Sequence, residues 1–183
     1  SAEFAPFLNI MNEWYVRDTS RKITAVLKTR GMSGKAHTNN RCCYGYKKSA
    51  DNPDKWEIDE EAAEVVRRIF NMCLNGKGPY QIARELAEDK VERPEYYLGM
   101  RGRGANVKSF DMEHPYAWRG GTVKTILTRM EYIGCTVNFR TKKESYKDKR
   151  PTKVDSSEWV IFENTQEPII DKHTWETVQK LLD

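Results

Sequence analysis

Residues 8–30 constrain the fold most, because they contain neither glycine nor proline over about six helical turns. The stretch predicts one helix that ends at Gly31, a residue suited to a helix C-terminus. Its apolar positions form a stripe that Asp18, Thr19 and Lys22 interrupt. A helix with such a stripe is poorly suited to burial along its whole length. We therefore expect it to project from a domain or to connect two domains.

Residues 44–183 have the pattern of a small domain in which helices and short strands alternate. The segment YGYKKSADNPDKWEID predicts two strands around a turn, with core positions at Tyr44, Tyr46, Trp56 and Ile58. The segments IGCTVNFR and EWVIFEN predict two further paired strands. Helices are predicted at residues 60–74, where Asp59 caps the start, and at 79–90, 121–131 and 172–182, where Asp171 caps the start.

The predicted fold class is α+β. It is a mainly helical domain with a helix-turn-helix-like pair and small β-hairpins, preceded by the long helix. Trp159 and Trp175 are further candidates for the core, whereas Tyr96, Tyr97 and Trp118 border basic loops and could serve either the core or base stacking.

Three segments without periodicity connect these elements. Residues 31–43 combine glycine, serine, asparagine and basic residues, which is typical of a linker. Residues 92–117 contain several glycines and prolines and predict one long loop, a length that is often functional or disordered in compact domains. The basic segment TKKESYKDKRPTK predicts a loop between the last two strands.

Charge is distributed unevenly along the chain, although the formal net charge is only +4. Residues 1–48 carry a net charge of +6 and residues 100–153 one of +8, whereas residues 49–99 and 154–183 each carry −5. This alternation favours a side that faces a polyanion and a side that faces solvent. Chance clustering on flexible loops would give the same numbers, so charge alone leaves the function open.

Composition argues against a membrane protein and against a metal site. Hydrophobic residues make up 38% of the chain and charged residues 32%, no apolar run approaches the roughly 18 residues of a membrane span, and no signal peptide opens the sequence. The four cysteines include no CxxC pair, and the three histidines are scattered. We expect reduced thiols, no metal, no cofactor and a cytoplasmic location.

The helices predicted at 79–90 and 121–131 have the chemistry of a helix-turn-helix with an enlarged turn. Ala83 is the small residue that lets the first helix pack closely, and the second helix exposes a polar face that could enter the major groove. Gly120 and Gly121 would allow the start of that helix to approach a phosphate closely. An ordinary core helix with a solvated polar face explains the same spacing.

The polar face of the second helix carries Lys124, Thr125, Thr128 and Arg129. The two cations could reach phosphates or guanine edges, and the two threonines a base edge or a methyl group. This combination predicts that the helix recognises base pairs in the major groove. The alternative is an ordinary core helix whose polar face is solvated.

Several ordered segments together resemble the large serine recombinases, the resolvase/invertase-type site-specific recombinases of transposons and phages. FAPFLNIMNEWYVRDTSRKITAVLKTRG looks like the end of the catalytic domain and the long connecting helix of that family. YGYKK, WEIDEEAAEVVRRIF, GKGPYQIARELAEDKV, TVKTILTRMEYIG and ENTQEPIIDKHTWETVQKLL are similar to the recombinase domain that follows it. The resemblance implies three parts: the end of the catalytic domain and the long helix at 1–30, a linker at 31–43, and a DNA-binding recombinase domain at 44–183.

The resemblance also implies that the chemistry of strand exchange lies outside this sequence. In the family a catalytic-domain serine attacks DNA and forms a 5′-phosphoserine link, with arginines around it. The sequence begins after that region, and Ser20, Ser33 and Ser109 have no nucleophile context. We expect this fragment to bind attachment-site DNA without cutting or joining it. A zinc ribbon that the family carries would follow residue 183.

Roles for the basic residues follow from the same resemblance. The long helix would cross the duplex near the crossover point, and the linker would run in the minor groove, where a narrow A·T-rich groove attracts cations. At Cys42 and Cys43 the family pattern leads us to expect proline. The residues that we expect to contact DNA are Arg17, Arg21, Lys28, Lys35, Arg41, Arg101, Arg103, Arg119, Thr122, Lys124, Thr125, Thr128, Arg129, Lys142 and Lys143.

The partners expected are double-stranded DNA and, in the full-length enzyme of a bacterium or phage, the other recombinase subunits of a dimer or tetramer. The alternative from another class is a protein-interaction domain whose basic faces contact acidic partners or those subunits. A free-standing enzyme finds little support, because no Ser/His/Asp set and no carboxylate pair occurs at informative spacing.

Overall fold

The computed structural model describes residues 2–35, 41–104 and 110–183. In chain order the elements are α1 (Ala5–Met32), β1 (Tyr46–Lys48), β2 (Trp56–Ile58), α2 (Glu60–Leu74), α3 (Pro79–Glu88), α4 (Pro94–Met100), α5 (Gly120–Thr128), β3 (Thr136–Asn138), β4 (Thr141–Lys142), β5 (Thr152–Lys153), β6 (Val160–Phe162) and α6 (Lys172–Leu182). Short 3-10 helices occupy Ala2–Phe4, Met130–Ile133 and Ser156–Glu158. This mixture of helices and short antiparallel strands confirms the predicted α+β class with a long first helix.

The chain forms two compact units, one of Ser1–Arg41 with Thr136–Thr165 and one of Cys42–Cys135 with Gln166–Asp183. Residues 136–165 therefore cluster with the long helix, whereas the sequence placed them inside a domain at 44–183. The functional division into catalytic end, linker and DNA-binding domain stays a prediction, and residues 36–40 of the predicted linker lie outside the described residues.

In the first unit, the C-terminal end of α1 docks on the strand pair β3–β6. The buried Asn138 side chain donates its Nδ2 hydrogens to the carbonyl oxygens of Gly31 at 3.0 Å and Lys35 at 3.4 Å. The Phe139 ring lies directly over Gly31, where a Cβ would be only 2.4 Å from the ring. The helix runs past Gly31 to Met32, so the prediction that Gly31 is the C-cap is wrong; its missing side chain serves this packing instead.

The same unit contains a short basic ribbon where the sequence predicted a loop. β3 pairs antiparallel with β6, with Val137 opposite Ile161, as predicted. Beyond β3 the chain continues into β4, which pairs with β5 through Thr141 opposite Lys153. Two residues per strand are too few for periodicity to reveal.

The core of the second unit is built around α2 and two tyrosines. Val66, Ile69 and Phe70 of α2 are fully buried at helical spacing, as predicted. The rings of Tyr46 and Tyr132 stack with centroids 6.2 Å apart. Each buried side chain of this size contributes about 1.5–3 kcal/mol through the hydrophobic effect. Burial of Tyr44, Tyr46 and Trp56 confirms three of the four predicted core positions on this hairpin; Ile58 is only half-buried.

The segment predicted as one long loop contains a helix, α4, so that prediction is wrong. Pro94 begins the helix at a position that needs no backbone donor, and Tyr97 anchors it in the core at 3% exposure. Trp118, also buried, donates its indole N–H to the carbonyl of Val91 at 2.8 Å. Tyr97 and Trp118 thus belong to the core, and Tyr96 is half-buried beside Phe110.

Helix α5 is shorter than the predicted helix at 121–131. It ends at Thr128, because Arg129 adopts an extended conformation with ψ of 119° before the 3-10 helix Met130–Ile133. In the same unit, Asp171 accepts a hydrogen bond from the backbone N–H of Thr174 and caps α6, as predicted. Trp159 and Trp175, predicted as core, are half-buried.

All four cysteines are free thiols. Burial raises the pKa of Cys42 to about 11 and that of Cys43 to about 12, while Cys73 and Cys135 are buried. Within the described residues, no group of three histidine, cysteine or acidic side chains could hold a metal ion. Across the same residues, no helix has the length and apolar character needed to span a membrane.

Replacement of Gly45 by alanine should destabilise the second unit. Gly45 has φ of +105°, and a Cβ there would lie 3.0 Å from Cδ1 of Ile169 and 3.3 Å from Tyr132. Gly76→Ala is the matched control, because Gly76 has φ of +87° but no atom within 4 Å of a Cβ. We expect about 1–2 kcal/mol of backbone strain in both variants and a larger loss for Gly45→Ala, measured by urea unfolding. Equal losses would contradict the crowding at Gly45.

Candidate nucleic-acid interface

Helix α5 buries one face and presents the other to solvent. Val123, Ile126 and Leu127 are buried, with exposures of 4% or less. Lys124, Thr125 and Thr128 are exposed, together with the backbone of Gly121. This division into a buried and an exposed face follows from the 3.6-residue period of the helix. A helix of nine residues is held mainly by its packed face, so its exposed face is free for another task.

The exposed threonines present acceptors and methyl groups rather than free hydroxyl donors. The Thr125 hydroxyl donates to the Gly121 carbonyl at 2.9 Å, and the Thr128 hydroxyl lies 3.0 Å from the Lys124 carbonyl. With each hydroxyl hydrogen used inside the helix, the oxygen lone pairs can accept from an external amino group. The chemistry of this face is therefore one ammonium group, two hydroxyl acceptors and two methyl groups.

An open groove of about 690 Å³ lies between the start of α5 and helix α3. Gly120 packs against the exposed Tyr80 of α3, where a Cβ would lie 2.7 Å from Cδ1 of the ring. Arg119 precedes the first turn of α5, whose free N–H groups and dipole favour an anion. The groove is lined by Tyr80, Ala83, Arg84, Trp118, Arg119, Gly120, Gly121 and Thr122.

Tyr80 and Arg84 are site residues that the sequence analysis missed. They lie four residues apart, and therefore on one face of α3, the face that borders the start of α5. Their helical spacing was visible in the sequence, but which neighbour that face meets was not. Thr122 and Arg119, both predicted from the sequence, line the same groove.

Arg129 does not share the exposed face with Lys124. Its guanidinium lies 3.5 Å from the carboxylate of the fully buried Glu131. Burial disfavours the charge, yet the neighbouring Cys43 and Glu131 raise the pKa of Arg129 above its ordinary value. The Trp175 indole N–H donates to the Arg129 carbonyl at 3.1 Å. These contacts tie Arg129 to the interior and to α6.

Arg101 and Arg103 belong to an ion-pair cluster around Tyr97. The guanidinium of Arg101 lies 3.6 Å from the centre of the Tyr97 ring and 3.0 Å from Glu61. Arg103 lies 2.7 Å from Asp59, whose carboxylate also bonds the Tyr97 hydroxyl. Burial and the Asp59 hydrogen bond raise the pKa of Tyr97 to about 12.

This cluster also corrects a detail of the predicted capping. Asp59 occupies the N-cap position of α2, as predicted, but its side chain makes no cap hydrogen bond. The carboxylate turns to Tyr97 and Arg103 because a guanidinium is the stronger partner.

The other predicted contacts lie in the first unit. Arg17, Arg21 and Lys28 are exposed on α1, and Arg17 is 3.6 Å from Glu13. Lys142 is paired with Glu144 at 3.0 Å, which raises the pKa of Lys142. Lys143, Lys35 and Arg41 are exposed as well, and the Lys35 carbonyl accepts from Asn138.

Ion-paired and exposed arginines of the second unit should differ in their effect on the free energy of unfolding. Arg103→Ala removes the partner of a largely buried Asp59 carboxylate and should cost about 1–3 kcal/mol. Arg119→Ala removes an exposed side chain that makes no ion pair with the residues described and should change stability by less than about 0.5 kcal/mol. Urea unfolding of both variants measures the difference. A loss for Arg119→Ala as large as that for Arg103→Ala would contradict this division.

The chain matches known proteins in two ways. A family model described as Recombinase matches residues 60–183. Two solved structures are similar at 20% identity over 88% of this chain. One is the crystal structure of an LSR–DNA complex, of which 37% of the chain is covered with a TM-score of 0.43. The other comes from work on the sequence requirements of the Listeria innocua prophage attP site, with 51% covered and a TM-score of 0.41.

The chain thus spans between about a third and a half of the length of those two solved chains. The family model covers more than half of this sequence. It agrees with the motifs from which the resemblance was predicted. The chain belongs to the recombinase family.

Proposed function

We propose that this chain is a DNA-binding part of a large serine site-specific recombinase that integrates or excises a mobile element. In this proposal α5 is the recognition helix and the attachment-site duplex is its ligand. The observation that carries the proposal is the exposed face of α5, with Lys124, Thr125 and Thr128 on a helix whose other face is buried.

The chemistry of that face fits the edges of base pairs in the major groove. Lys124 can donate to the O6 and N7 acceptors of guanine or to a phosphate. Because the hydroxyl hydrogens of Thr125 and Thr128 are already used, their oxygens are available to the amino groups of adenine or cytosine. Their methyl groups can contact the methyl group of thymine.

The groove beside α5 fits the phosphate backbone that flanks such a site. Arg119 and Arg84 would supply positive charge, the exposed Tyr80 hydroxyl a donor, and the first turn of α5 its free N–H groups. Gly121 has no atom within 4 Å of a Cβ, so the backbone there is open to close approach. Contacts of this kind position a protein on the duplex without reading sequence.

The remaining basic residues take different parts in the proposal. Arg17, Arg21 and Lys28 of the long helix would contact phosphates, and Lys35 and Arg41 would enter the minor groove beside the recognised block. Lys142 and Lys143 would contact phosphates as well. Arg101, Arg103 and Arg129 would act indirectly, because their guanidinium groups are paired with Glu61, Asp59 and Glu131.

Strand exchange itself would require the catalytic serine domain and the other subunits of the full-length enzyme. The chain would then hold the attachment site in place while chemistry proceeds elsewhere. A cytoplasmic location in a bacterium or phage-infected cell accompanies this proposal.

Selection from a random-sequence duplex pool at about 150 mM salt tests the function directly. We expect enrichment of one half-site, with an A·T-rich stretch next to a specific block. If duplexes are retained but no sequence is enriched, the chain binds phosphates without recognising bases. No retention of DNA would favour the alternative, a protein-interaction domain, and a mere polyanion surface would hold heparin as well as duplex DNA.

Two substitutions on α5 separate base reading from phosphate binding. Thr125→Ala should reduce the preference for one base at one position of the site by about tenfold or less. Lys124→Ala should weaken binding to all sequences and make the slope of log affinity against log salt concentration shallower by about one unit. Competition binding on duplexes with single base changes, at several salt concentrations, measures both.

Thr177→Ala provides the matched control, because Thr177 of α6 makes the same hydrogen bond to the carbonyl four residues earlier, at 2.8 Å. It should leave selectivity and salt slope unchanged. Equal losses on every sequence from Thr125→Ala and Lys124→Ala would refute a base-reading role for α5.

A further inference from the structure

The basic ribbon of the first unit, residues 140–153, contacts α1 at two distant points. At one end Asn138 and Phe139, which lead into the ribbon, pack on Gly31. Near the tip, the Lys147 ammonium lies 3.0 Å from the Glu13 carboxylate and the Tyr146 hydroxyl 3.2 Å from it. The ribbon is therefore fixed to both ends of a long section of the helix.

The two contact points on α1 are far apart along the helix. Glu13 and Gly31 are separated by 18 residues, or about 27 Å along a helix. Eighteen residues also correspond to five whole turns, so Glu13 and Gly31 lie on the same line of the helix surface. The ribbon therefore contacts α1 at two points that lie along one line of the helix.

The predicted cations of α1 lie beside this line. At about 100° per residue, Arg17, Lys28 and Arg21 are rotated by about 40°, 60° and 80° from Glu13, all in the same direction. The ribbon itself contains seven lysines and arginines against two acids, a net charge of +5. Helix and ribbon therefore present adjacent rows of positive charge rather than two separate patches.

Glu13 is the acidic side chain placed between the two rows. Its carboxylate contacts Lys147 and Tyr146 of the ribbon and lies 3.6 Å from Arg17 of the helix. Hydrogen bonds from Lys147 and Tyr146 lower the pKa of Glu13, so it is ionised at neutral pH. The charged groups of Glu13, Arg17 and Lys147 are about half exposed or more, and exposed ion pairs of this kind are weak. A phosphate could replace the carboxylate at little cost.

We propose that α1 and the basic ribbon form one composite surface for the phosphate backbone of duplex DNA, with Glu13 holding its cations in the free protein as a substitute for phosphate. This inference rests on the proposed function and adds the ribbon, its tip residues Tyr146 and Lys147, and a competing carboxylate to it. A surface of about 27 Å faces about eight phosphates of one strand, which lie 3.4 Å apart along the axis.

Glu13→Gln tests the competition, with Asp18→Asn as the matched control. Both variants raise the net charge of α1 by one. Asp18 pairs with Lys22 at 2.8 Å, and these two residues lie about 140° and 180° around the helix from Glu13, away from the ribbon. We expect Glu13→Gln to bind a random-sequence duplex several-fold more tightly at about 50 mM salt, with a salt slope steeper by about one unit. Asp18→Asn should change both quantities far less, because the charge lies across the helix.

Carbodiimide cross-linking of the unmodified chain tests the contact itself. The reagent joins a carboxylate to an amine in direct contact, so the free protein should yield a Glu13–Lys147 cross-link detectable by peptide mass spectrometry. Duplex DNA should suppress this cross-link in proportion to the fraction bound, whereas a neutral polymer should not.

The outcomes separate the inference from the proposed function. If duplex DNA binds but Glu13→Gln matches Asp18→Asn, or if the cross-link persists at saturation, the composite surface is refuted and DNA binding through α5 stands. If the chain binds no duplex at all, the proposed function fails and this inference fails with it.

Discussion

The second unit depends on the stacked pair Tyr46 and Tyr132, because their polar groups bridge segments that are far apart in sequence. The Tyr46 hydroxyl lies 2.7 Å from the Glu167 carbonyl and 3.1 Å from that of Glu131, and the Tyr132 hydroxyl donates to the Tyr44 carbonyl at 2.6 Å. Backbone N–H groups of Ile169 and Ile170 both reach the Tyr132 carbonyl at 2.9 Å. The first hairpin, the turn after α5 and the segment before α6 are thus held at one point. This anchor also holds the end of α5, in addition to the packed face that fixes the outer face of this short helix.

Positive charge in this protein is divided between internal and external roles. Arg101, Arg103 and Arg129 form ion pairs with acidic side chains of the second unit. Loss of one of these arginines would leave its carboxylate without a compensating positive charge. Lys124 and Arg119 are exposed and are available to a ligand. A count of basic residues therefore overstates the charge that the second unit offers to DNA. In the first unit one cation can have both roles, because Arg17 and Lys147 pair with Glu13 but are exposed and only weakly held.

Local patterns predicted the helices well and the long-range pairings poorly. Helix α2 was predicted with its bounds, since apolar positions at 3.6-residue spacing and an acidic first turn are local signals. Helix α4 was missed because glycine and proline surround a single anchoring residue, Tyr97. The partners of Arg101 and Arg103 are 40 and 44 residues away along the chain, so no spacing rule could have assigned these arginines to ion pairs. Tyr80 and Arg84 became candidates only once α3 and α5 were seen to meet.

The partly buried thiols of Cys42 and Cys43, at the start of the second unit, have a practical consequence. Burial raises the pKa of Cys42 to about 11 and that of Cys43 to about 12, so both are thiols rather than thiolates at neutral pH. Since the thiolate is the reactive species, we expect the two adjacent cysteines to react slowly with alkylating agents and disulfides. A cysteine introduced at an exposed position, with an ordinary pKa of about 8.5, would carry far more thiolate at neutral pH. Such a cysteine would be labelled ahead of Cys42 and Cys43.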